Sequence, residues 1–539
     1  MPRNMNVALV SMGLLLGTMG CDSFLTDVST DPNNPAKATI QTLLVGVQGA
    51  QFAFQEGTVP MMLCEWMQAC GATNGRYVEQ AGRYDYGAGS NIAANGTDWA
   101  LIYTGGGLID MDTIAGMARA AGDSLYLGID LVWKAFALGS ATSLWGSIPY
   151  SQIRTSRTPA LDPQLVLYDT VQAMLGHAIH LLGSGITTLA APPDLVFSGN
   201  AAKWTGVANT LKARYWMHLA EAAATRPELG QPYDSALKYA ALGIPDPSGA
   251  SDFRAFHSGS GYPQSNMWFQ FQDNSSFGGD LEAGKTLVDY MNARGDPRRA
   301  DYFCLLVDGT WAKGHKYKVG DQVGSPDGDA NGNVEKVSAV TGDATSGTTE
   351  PTWPTTVGAT TTDNNVTWTN AGFNFAGDDF NTPQANVSSF GCEPLRFSAK
   401  FRVPFVTYQE NELIQAEANY ALANEPLART HLNNAYGVVP GLASVAGTAT
   451  GPALLDSIMM EKYVVMFQNI EGLMDYRRTC IPALTPVTPN LLGVNAVPGE
   501  LLYPQTERNA NPNIPAQSQE VNAGLRTPVD VNACPAAVP

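Results

Sequence analysis

Apolar residues recur with a helical period along most of this chain. In residues 201–224 they fall at i, i+3, i+4 and i+7 spacing, which places them on one face of a helix. That face consists of Trp204, Val207, Ala208, Leu211, Tyr215, Leu219 and Ala222. The same period predicts helices over about 38–55, 97–119, 125–142, 164–183, 233–242, 283–293, 407–423, 427–436 and 452–469. Glycine- and proline-rich stretches separate them, so the pattern predicts a mostly α fold.

The predicted helices 407–423 and 427–436 resemble a tetratricopeptide unit. Small and large residues alternate there at the spacing that lets two helices pack closely. The residues with this spacing are Ala416, Ala428, Leu432 and Ala435. Glu412 stands where the repeat usually has tryptophan. The sequence therefore predicts divergent helix pairs, with no regular repeat array.

Residues 309–372 have a different pattern. Helix-forming residues give way to Gly, Thr, Asp and Trp, and the alternation of Val366 and Trp368 indicates short strands between turns. We therefore predict a small all-β insertion in a helical domain that comprises 38–308 and 373–539.

The start of this insertion carries a second pattern. Trp311, Tyr317 and Gly320-Asp-Gln-Val323 resemble the Trp…Tyr…Gly-Asp-x-Val pattern of small chitin-binding-type carbohydrate modules over about 15 residues. The resemblance implies that the insertion is carbohydrate-binding-like. The alternative is that it only enlarges the exposed face.

The N-terminal segment has the features of an export signal. Arg3 precedes an apolar run that is shorter than the roughly 20 residues needed to span a bilayer. We predict a lipoprotein signal peptide over 1–20, lipidation of Cys21 and a polar tether over 21–37. The alternative is plain secretion, with Cys21 as an ordinary cysteine.

Composition restricts the class of partner. The chain has 539 residues, of which 44% are hydrophobic and 15% charged, as expected of a globular protein. Its net charge is −18, and its Lys and Arg residues do not cluster in the sequence. Because affinity for a phosphate backbone requires clustered cations, we predict no nucleic-acid partner.

The cysteines after Cys21 suggest disulfide bonds. Their number is even, they form no CxxC pair, and an exported protein matures in an oxidising environment. Of the 15 pairings that six cysteines allow, we predict Cys64–Cys70, Cys304–Cys392 and Cys480–Cys534. The second pair brackets the predicted insertion. The alternative is that several of them are free, buried thiols.

Metal and cofactor signals are weak. Asp327, Asp329 and Asn331 match the opening of a calcium loop, but the closing glutamate is missing, so a polar turn is the competing interpretation. Gly279–Thr286 matches a phosphate-binding loop formally, but two acidic residues inside it would repel phosphate. We predict no cofactor. Since the sequence contains no HExxH or GxSxG motif, we also predict that the protein is not an enzyme.

Aromatic residues in or beside loops rich in Gly, Asn and Ser are the candidate ligand contacts. Aromatic rings cover the apolar C–H faces of sugars, while Arg and Asn side chains bind the hydroxyl groups. The candidates are Arg76, Tyr77, Tyr84, Tyr86, Asn91, Trp99, Tyr262, Trp268 and Phe269. For each ring the alternative is that it packs its loop onto the core.

Eight segments in order along the chain resemble the SusD/RagB family of outer-membrane nutrient-uptake lipoproteins. They are Thr30–Pro35, Leu144–Tyr150, Lys203–Arg214, Asp296–Arg298, Pro404–Ala418, Glu461–Phe467, Asp475–Pro482 and Leu502–Glu507. The resemblance implies four tetratricopeptide-like units in a helical superhelix, with variable loops that hold the ligand. It also implies an outer-membrane lipoprotein that faces the cell exterior and covers a TonB-dependent transporter barrel.

On this basis we predict a protein that captures oligosaccharides and delivers them to the transporter. A peptide-binding member of the same uptake system is the first alternative. A secreted polysaccharide hydrolase and an adhesin built around the insertion are the others. The Asp475–Arg478 run is predicted to be structural, as a polar network that holds the C-terminal segment.

Overall fold

The computed structural model describes residues 38–73, 77–78, 81–84, 94–274, 276, 278–324, 332–531 and 534. Several predicted features lie outside these residues. They are the signal peptide 1–20, the tether 21–37 with Cys21, the candidate ligand residues Arg76, Tyr86 and Asn91, and the candidate calcium residues Asp327, Asp329 and Asn331.

Helices dominate the described residues, as predicted. They are α1 Ile40–Glu56, α2 Thr58–Trp66, α3 Ala94–Tyr103, α4 Leu108–Ala121, α5 Ser124–Trp145, α6 Gln164–Ser184, α7 Ala201–His218, α8 Ala220–Ala223, α9 Pro232–Ala240, α10 Met267–Asp273, α11 Lys285–Ala293, α12 Arg299–Tyr302, α13 Tyr408–Ala421, α14 Glu425–Gly437, α15 Gly451–Val465, α16 Glu471–Thr479, α17 Gln505–Ala510 and α18 Gln517–Asn522. The strands are β1 Cys70–Ala72, β2 Phe253–Arg254, β3 Leu281–Ala283, β4 Gln322–Gly324, β5 Asn333–Val340, β6 Thr360–Asp363, β7 Val366–Phe373 and β8 Pro404–Val406.

The long helices pack in succession. Helix α5 packs against α4 and α6, α6 against α7, α7 against α9, α9 against α13, and α13 against α14 and α15. Asn200 begins α7 by accepting a hydrogen bond from the Lys203 N–H, and Asp123 caps α5 in the same way. At the α5–α7 contact, Gly139 leaves room for the Tyr215 ring, since a Cβ there would lie 2.2 Å from Tyr215 Cζ.

The predicted tetratricopeptide-like pair is present as α13 and α14. Its four spacing residues are all fully buried in one apolar cluster with Leu454 and Ile458 of α15. Small alanine side chains at three of these positions let the helices approach closely. The prediction of tetratricopeptide-like packing is confirmed.

Helix α6 is long and apolar enough to cross a membrane by length and composition, the one such helix in the described part of the chain. Its Leu167, Val171, Leu175 and Leu182 are buried. Because these side chains form part of the main apolar core, we assign α6 as a core helix of a globular fold.

Ion pairs join the helices inside the protein. Arg214 of α7 forms a buried pair with Glu410 of α13, with Nε 2.5 Å from Oε1. His218 Nε2 lies 2.6 Å from Glu471 Oε1 of α16. Burial and the nearby Arg477 and Arg214 charges lower the pKa of His218 well below its usual value, so the ring is neutral in the core. His218 is therefore a core residue.

The Asp475–Arg478 run continues this network. Lys462 Nζ lies 2.8 Å from Glu417 Oε2 and 2.9 Å from Asp475 Oδ1. Arg478 contacts the same two carboxylates, and Arg477 donates to the carbonyl oxygens of Ser143 and Gly499 at 2.7 and 2.9 Å. Since Gly499 lies in the C-terminal segment, the run has the structural role that was predicted.

The insertion forms a four-stranded antiparallel sheet in the order β4-β5-β7-β6. The alternating Val366 and Trp368 are both fully buried, and Tyr317 and Trp353 pack against Trp368 at centroid distances of 4.8 and 5.5 Å. These aromatic side chains form the core of the insertion. The prediction of a small all-β insertion in a helical fold is confirmed.

Three disulfides are present, and their pairing is the predicted one. They join Cys64 to Cys70, Cys304 to Cys392, and Cys480 to Cys534. The second one closes a segment that contains the insertion, and the third ties the C-terminal segment to the end of α16.

Candidate functional site

A surface groove of about 510 Å³ lies between α1 and the segment 256–270. Apolar and aromatic side chains line it together with hydroxyl and amide groups. Its main lining residues are Phe52, Phe256, His257, Gln264, Met267 and Gln270. We call it the aromatic groove.

A short β ladder exposes Phe256. Strand β2 pairs with β8 antiparallel, with Arg254 opposite Pro404, and the Ala255 N–H donates to the Val403 carbonyl at 3.0 Å. Along 253–256, Phe253 and Ala255 are buried, whereas Arg254 is partly exposed and Phe256 is exposed. This period-2 alternation leaves the Phe256 side chain 41% exposed at the rim of the groove.

The turn after β2 carries Tyr262. Its ring is 43% exposed, and its hydroxyl donates to the Gln270 carbonyl, which holds the ring in one orientation. Ser258 Oγ and Ser260 Oγ lie 2.6 and 2.5 Å from Gln264 Oε1. The turn therefore presents an oriented ring and a connected set of polar groups.

Helix α10 fixes this turn to the core. Asn266 Oδ1 caps the helix by accepting from the Trp268 N–H at 2.7 Å, and Asn266 Nδ2 donates to the Phe401 carbonyl at 3.1 Å. The Trp268 ring is fully buried and packs against Phe397 and Phe467 at centroid distances of 5.5 and 6.1 Å.

Burial corrects the ligand role predicted for four of the rings. Trp268 is one, because its ring has no face open to solvent. Trp99 packs between Trp145 and Tyr503, and Tyr84 is packed edge-on against Trp66. Tyr77 packs edge-on against Phe271 of α10, with ring centroids 5.3 Å apart. All four rings pack into the core, which was the alternative interpretation for each.

Two of the predicted aromatic side chains are partly exposed and so accessible to a ligand. Tyr262 stands beside the groove, and Phe269 on α10 is partly buried. The contact between Tyr77 and Phe271 shows that the chain around Tyr77 reaches α10, so the structure brings two of the predicted loop regions together.

Sequence reasoning missed Phe256 and His257. A signal was present, since Asp252-Phe-Arg-Ala-Phe-His257 alternates apolar and polar residues until Phe256 occupies an outward position. His257 Nε2 lies 2.9 Å from Glu56 Oε1 at the end of α1. Burial raises the pKa of Glu56, and the hydrogen bond to His257 opposes that shift.

The side chains of the groove can bind a ligand by stacking and hydrogen bonding. Rings provide stacking surfaces, and amides and hydroxyls provide hydrogen bonds in both directions. Over the residues that the structure describes, no group of three or more His, Cys, Asp or Glu side chains could hold a metal ion.

A family model and two solved structures match most of this chain. The SusD-like family model, described as "Starch-binding associating with outer membrane", matches residues 32–504. A solved SusD-like protein from Bacteroides thetaiotaomicron is 16% identical, covers 91% of this chain and 97% of its own, and superposes with a TM-score of 0.63. A chitin-binding SusD homologue from Flavobacterium johnsoniae is also 16% identical, with coverages of 92% and 97% and a TM-score of 0.61.

A third solved structure, described as a chitin-binding protein, is 17% identical, covers 91% of this chain and 100% of its own, and has a TM-score of 0.62. At these identities the structural matches establish a shared fold. Comparison with curated proteins gave no match.

Proposed function

Because the chain belongs to the SusD-like family, we propose that it is a non-catalytic glycan-binding protein of the cell surface. The observation that carries this proposal is the aromatic groove, where Phe256 and Tyr262 are half-exposed beside the polar groups of Ser258, Gln264 and Gln270. Half-exposed rings flanked by amides suit a sugar, which has both apolar C–H faces and hydroxyl groups.

The uptake role is the second part of the proposal. Lipidation at Cys21 anchors the protein in the outer membrane, facing the exterior, and it delivers bound oligosaccharide to a TonB-dependent transporter barrel. The family description supports the location, and two structural neighbours described as chitin-binding support the ligand class.

Isothermal titration calorimetry tests the glycan part. Chitin and starch oligosaccharides are titrated into the protein, alongside a panel of peptides. We expect a glycan to bind, and Phe256→Ala and Tyr262→Ala each to weaken its affinity by about 2- to 12-fold, from the ~0.5–1.5 kcal/mol of a ring contact. Phe373→Ala, which removes a side chain that is 46% exposed at the end of β7, is the matched control and should leave affinity unchanged.

The alternatives give different results. Binding of peptides without glycans favours the peptide-binding member of the same uptake system, and release of shorter sugars from a polysaccharide favours a hydrolase. Unchanged glycan affinity in both groove variants would remove the groove from the proposal. Co-purification of the full-length protein with an outer-membrane barrel tests the delivery step.

A further inference from the structure

Beside the aromatic groove lies a second depression of about 510 Å³ that is lined by basic side chains. Arg254, Lys400 and Arg402 line it together with Ser248 and Ser398, and its described lining residues include no acidic side chain. We call the three basic residues the cationic face. A basic surface of this kind contrasts with the net charge of −18 of the whole chain.

The same β ladder produces both surfaces. With Arg254 opposite Pro404 in an antiparallel pair, Phe256 comes opposite Arg402. The Arg402 guanidinium indeed lies 5.4 Å from the centroid of the Phe256 ring. Because Phe256 lines the aromatic groove and also packs against Arg402, the groove and the cationic face form one continuous surface.

Most of the charge on this face is not neutralised by the protein. Arg254 pairs with the buried Asp252, with Nη2 2.5 Å from Oδ2. Arg402 Nε donates to the Ala255 carbonyl at 2.7 Å, which orients the guanidinium without neutralising it. Lys400 is exposed and forms no ion pair within the described residues. Two positive charges therefore remain available.

A buried guanidinium lies beneath this face. Arg396 donates to the Tyr302 hydroxyl at 2.6 Å, to Gln468 Oε1 at 3.2 Å and to the Phe467 carbonyl at 3.0 Å, all neutral acceptors. Burial lowers the pKa of Arg402 and of Arg396, and the nearby Arg254 charge lowers both further. Cations held close enough to repel each other favour an anion in the depression between them.

We propose that the cationic face binds an anionic substituent, a carboxylate or a sulfate ester, on a glycan whose sugar ring stacks in the aromatic groove. The ligand class is then an acidic oligosaccharide. Guanidinium groups suit this role because they donate two parallel hydrogen bonds to a carboxylate or sulfate. This inference rests on the proposed glycan-binding function.

Matched pairs of sugars test it by calorimetry on the full chain. One pair is an oligogalacturonate and its methyl ester, and the other is a sulfated carrageenan oligosaccharide and its desulfated form. We expect the charged member of one pair to bind at least about tenfold tighter than its neutral form in dilute buffer, with the advantage shrinking in concentrated salt. The pair that responds identifies the anionic group.

Two substitutions assign the effect to the cationic face. Lys400→Gln should weaken binding of the charged sugar by about 3- to 10-fold and leave the neutral form unaffected. Arg402→Gln, which also removes a contact with the Phe256 ring, should weaken binding of the charged sugar more than that of the neutral form. Lys313→Gln, at an exposed lysine of the insertion, is the matched control. Arg402 holds a backbone carbonyl, so its variant is checked by thermal unfolding. Lys400 is exposed and has no hydrogen bond of this kind among the described residues, so the Lys400→Gln variant is used for the test if the Arg402 variant unfolds.

The outcomes separate this inference from the proposed function. Equal affinity for charged and neutral forms, or an unchanged Lys400→Gln variant, overturns the cationic face as a ligand site. If neutral sugars still bind through Tyr262 in that case, the glycan-binding function stands. Failure of every sugar to bind, charged or neutral, overturns both.

Discussion

At the scale of residues, Tyr262 and Trp268 show what separates a ligand contact from a core ring. They lie six positions apart in one loop-rich stretch, and both are aromatic residues beside polar neighbours. Phe397 and Phe467, from distant parts of the chain, cover Trp268, while Tyr262 meets solvent. The local sequence is similar around both residues, so only long-range packing could show which ring is exposed and which is buried.

Asp98 on α3 allows a prediction about pH. Burial raises the pKa of Asp98 to about 7, and its Oδ2 has no hydrogen-bond partner among the described residues. Because the pKa of Asp98 is raised from 3.8 to about 7 on folding, the stability that its protonated form contributes is fully present below about pH 4 and is lost as pH rises to about 7. We expect Asp98→Asn, which cannot ionise, to lose less stability than the parent between about pH 4 and pH 7.

Thermal unfolding of both proteins from pH 5 to pH 9 measures this effect. The gap in Tm between variant and parent should widen in favour of the variant as pH rises from 5 to about 7 and stay level above that. Asp246→Asn is a control because hydrogen bonds from Ser248 lower the pKa of the Asp246 carboxyl, so that this group stays ionised across the whole range. A gap that stays constant across the range would contradict the prediction.

The Arg214–Glu410 pair allows a second residue-scale prediction. Both side chains are buried, so Glu410→Leu leaves Arg214 without its bidentate partner. Loss of one partner of a buried ion pair costs about 3–5 kcal/mol, and we expect this fall in the free energy of unfolding. The double variant Arg214→Met/Glu410→Leu should lose less, and urea denaturation of both measures the difference. A double variant less stable than Glu410→Leu alone would contradict a favourable interaction between Arg214 and Glu410.

At the scale of elements, helical periodicity predicted the long helices well, but it joined two of them and missed several shorter ones, α2 among them. The stretch predicted as one helix over 97–119 is two, α3 and α4, because Gly105–Gly107 break it. A Cβ on Gly107 would lie 2.5 Å from the Ile102 carbonyl oxygen, so the close turn requires glycine there. Helix α2 was missed because eight of its nine residues are buried, which leaves no alternation of apolar and polar faces to detect.

The insertion allows an element-scale prediction. Its two ends meet, since the Leu306 N–H donates to the Asn374 carbonyl at 3.0 Å and the Val307 N–H donates to Asn374 Oδ1 at 2.9 Å. Its apolar cluster is separate from the main core. Deletion of 309–372, with Asp308 joined to Phe373, should therefore leave the helical fold and the affinity of the groove intact.

Circular dichroism and sugar titration on the deletion variant measure these two properties. An internal deletion that removes part of α6, which lies in the main core, should unfold the protein and is the contrasting control. If binding disappears while the helical spectrum is retained, the insertion itself holds the ligand, as the adhesin alternative requires.

At the scale of the whole molecule, the segments that resemble the family supply most residues of two internal ion-pair networks. Arg214, Glu410 and Glu471 join α7, α13 and α16, and Asp296 and Arg298 meet Glu461 of α15 in a second network. These residues set how the helices pack. The resemblance therefore predicted the scaffold reliably, while the groove is built from a turn and a strand pair that lie largely outside those segments.

The disulfides allow a prediction at this scale. Removing a cross-link destabilises a protein more when the loop that it closes is longer, by ~2 kcal/mol for the Cys64–Cys70 separation of 6 residues and ~4–5 kcal/mol for the Cys304–Cys392 separation of 88. We expect Cys304→Ala/Cys392→Ala to lose about twice the free energy of unfolding that Cys64→Ala/Cys70→Ala loses. Guanidinium denaturation compares them, and equal losses would contradict the loop-length argument.

The sequence by itself determined the long helices, the β character of the insertion and the family, and it favoured the observed cysteine pairing among the 15 possible ones. Each of these depends on periodicity, composition or order along the chain, which are local or additive properties. Only the tertiary structure decided which aromatic rings are exposed and which charges lie together. Phe256 meets Arg402 across a β ladder, and Trp268 is covered by Phe397 and Phe467, through contacts between residues more than 120 positions apart. Exposure depends on such contacts, and no local pattern encodes them.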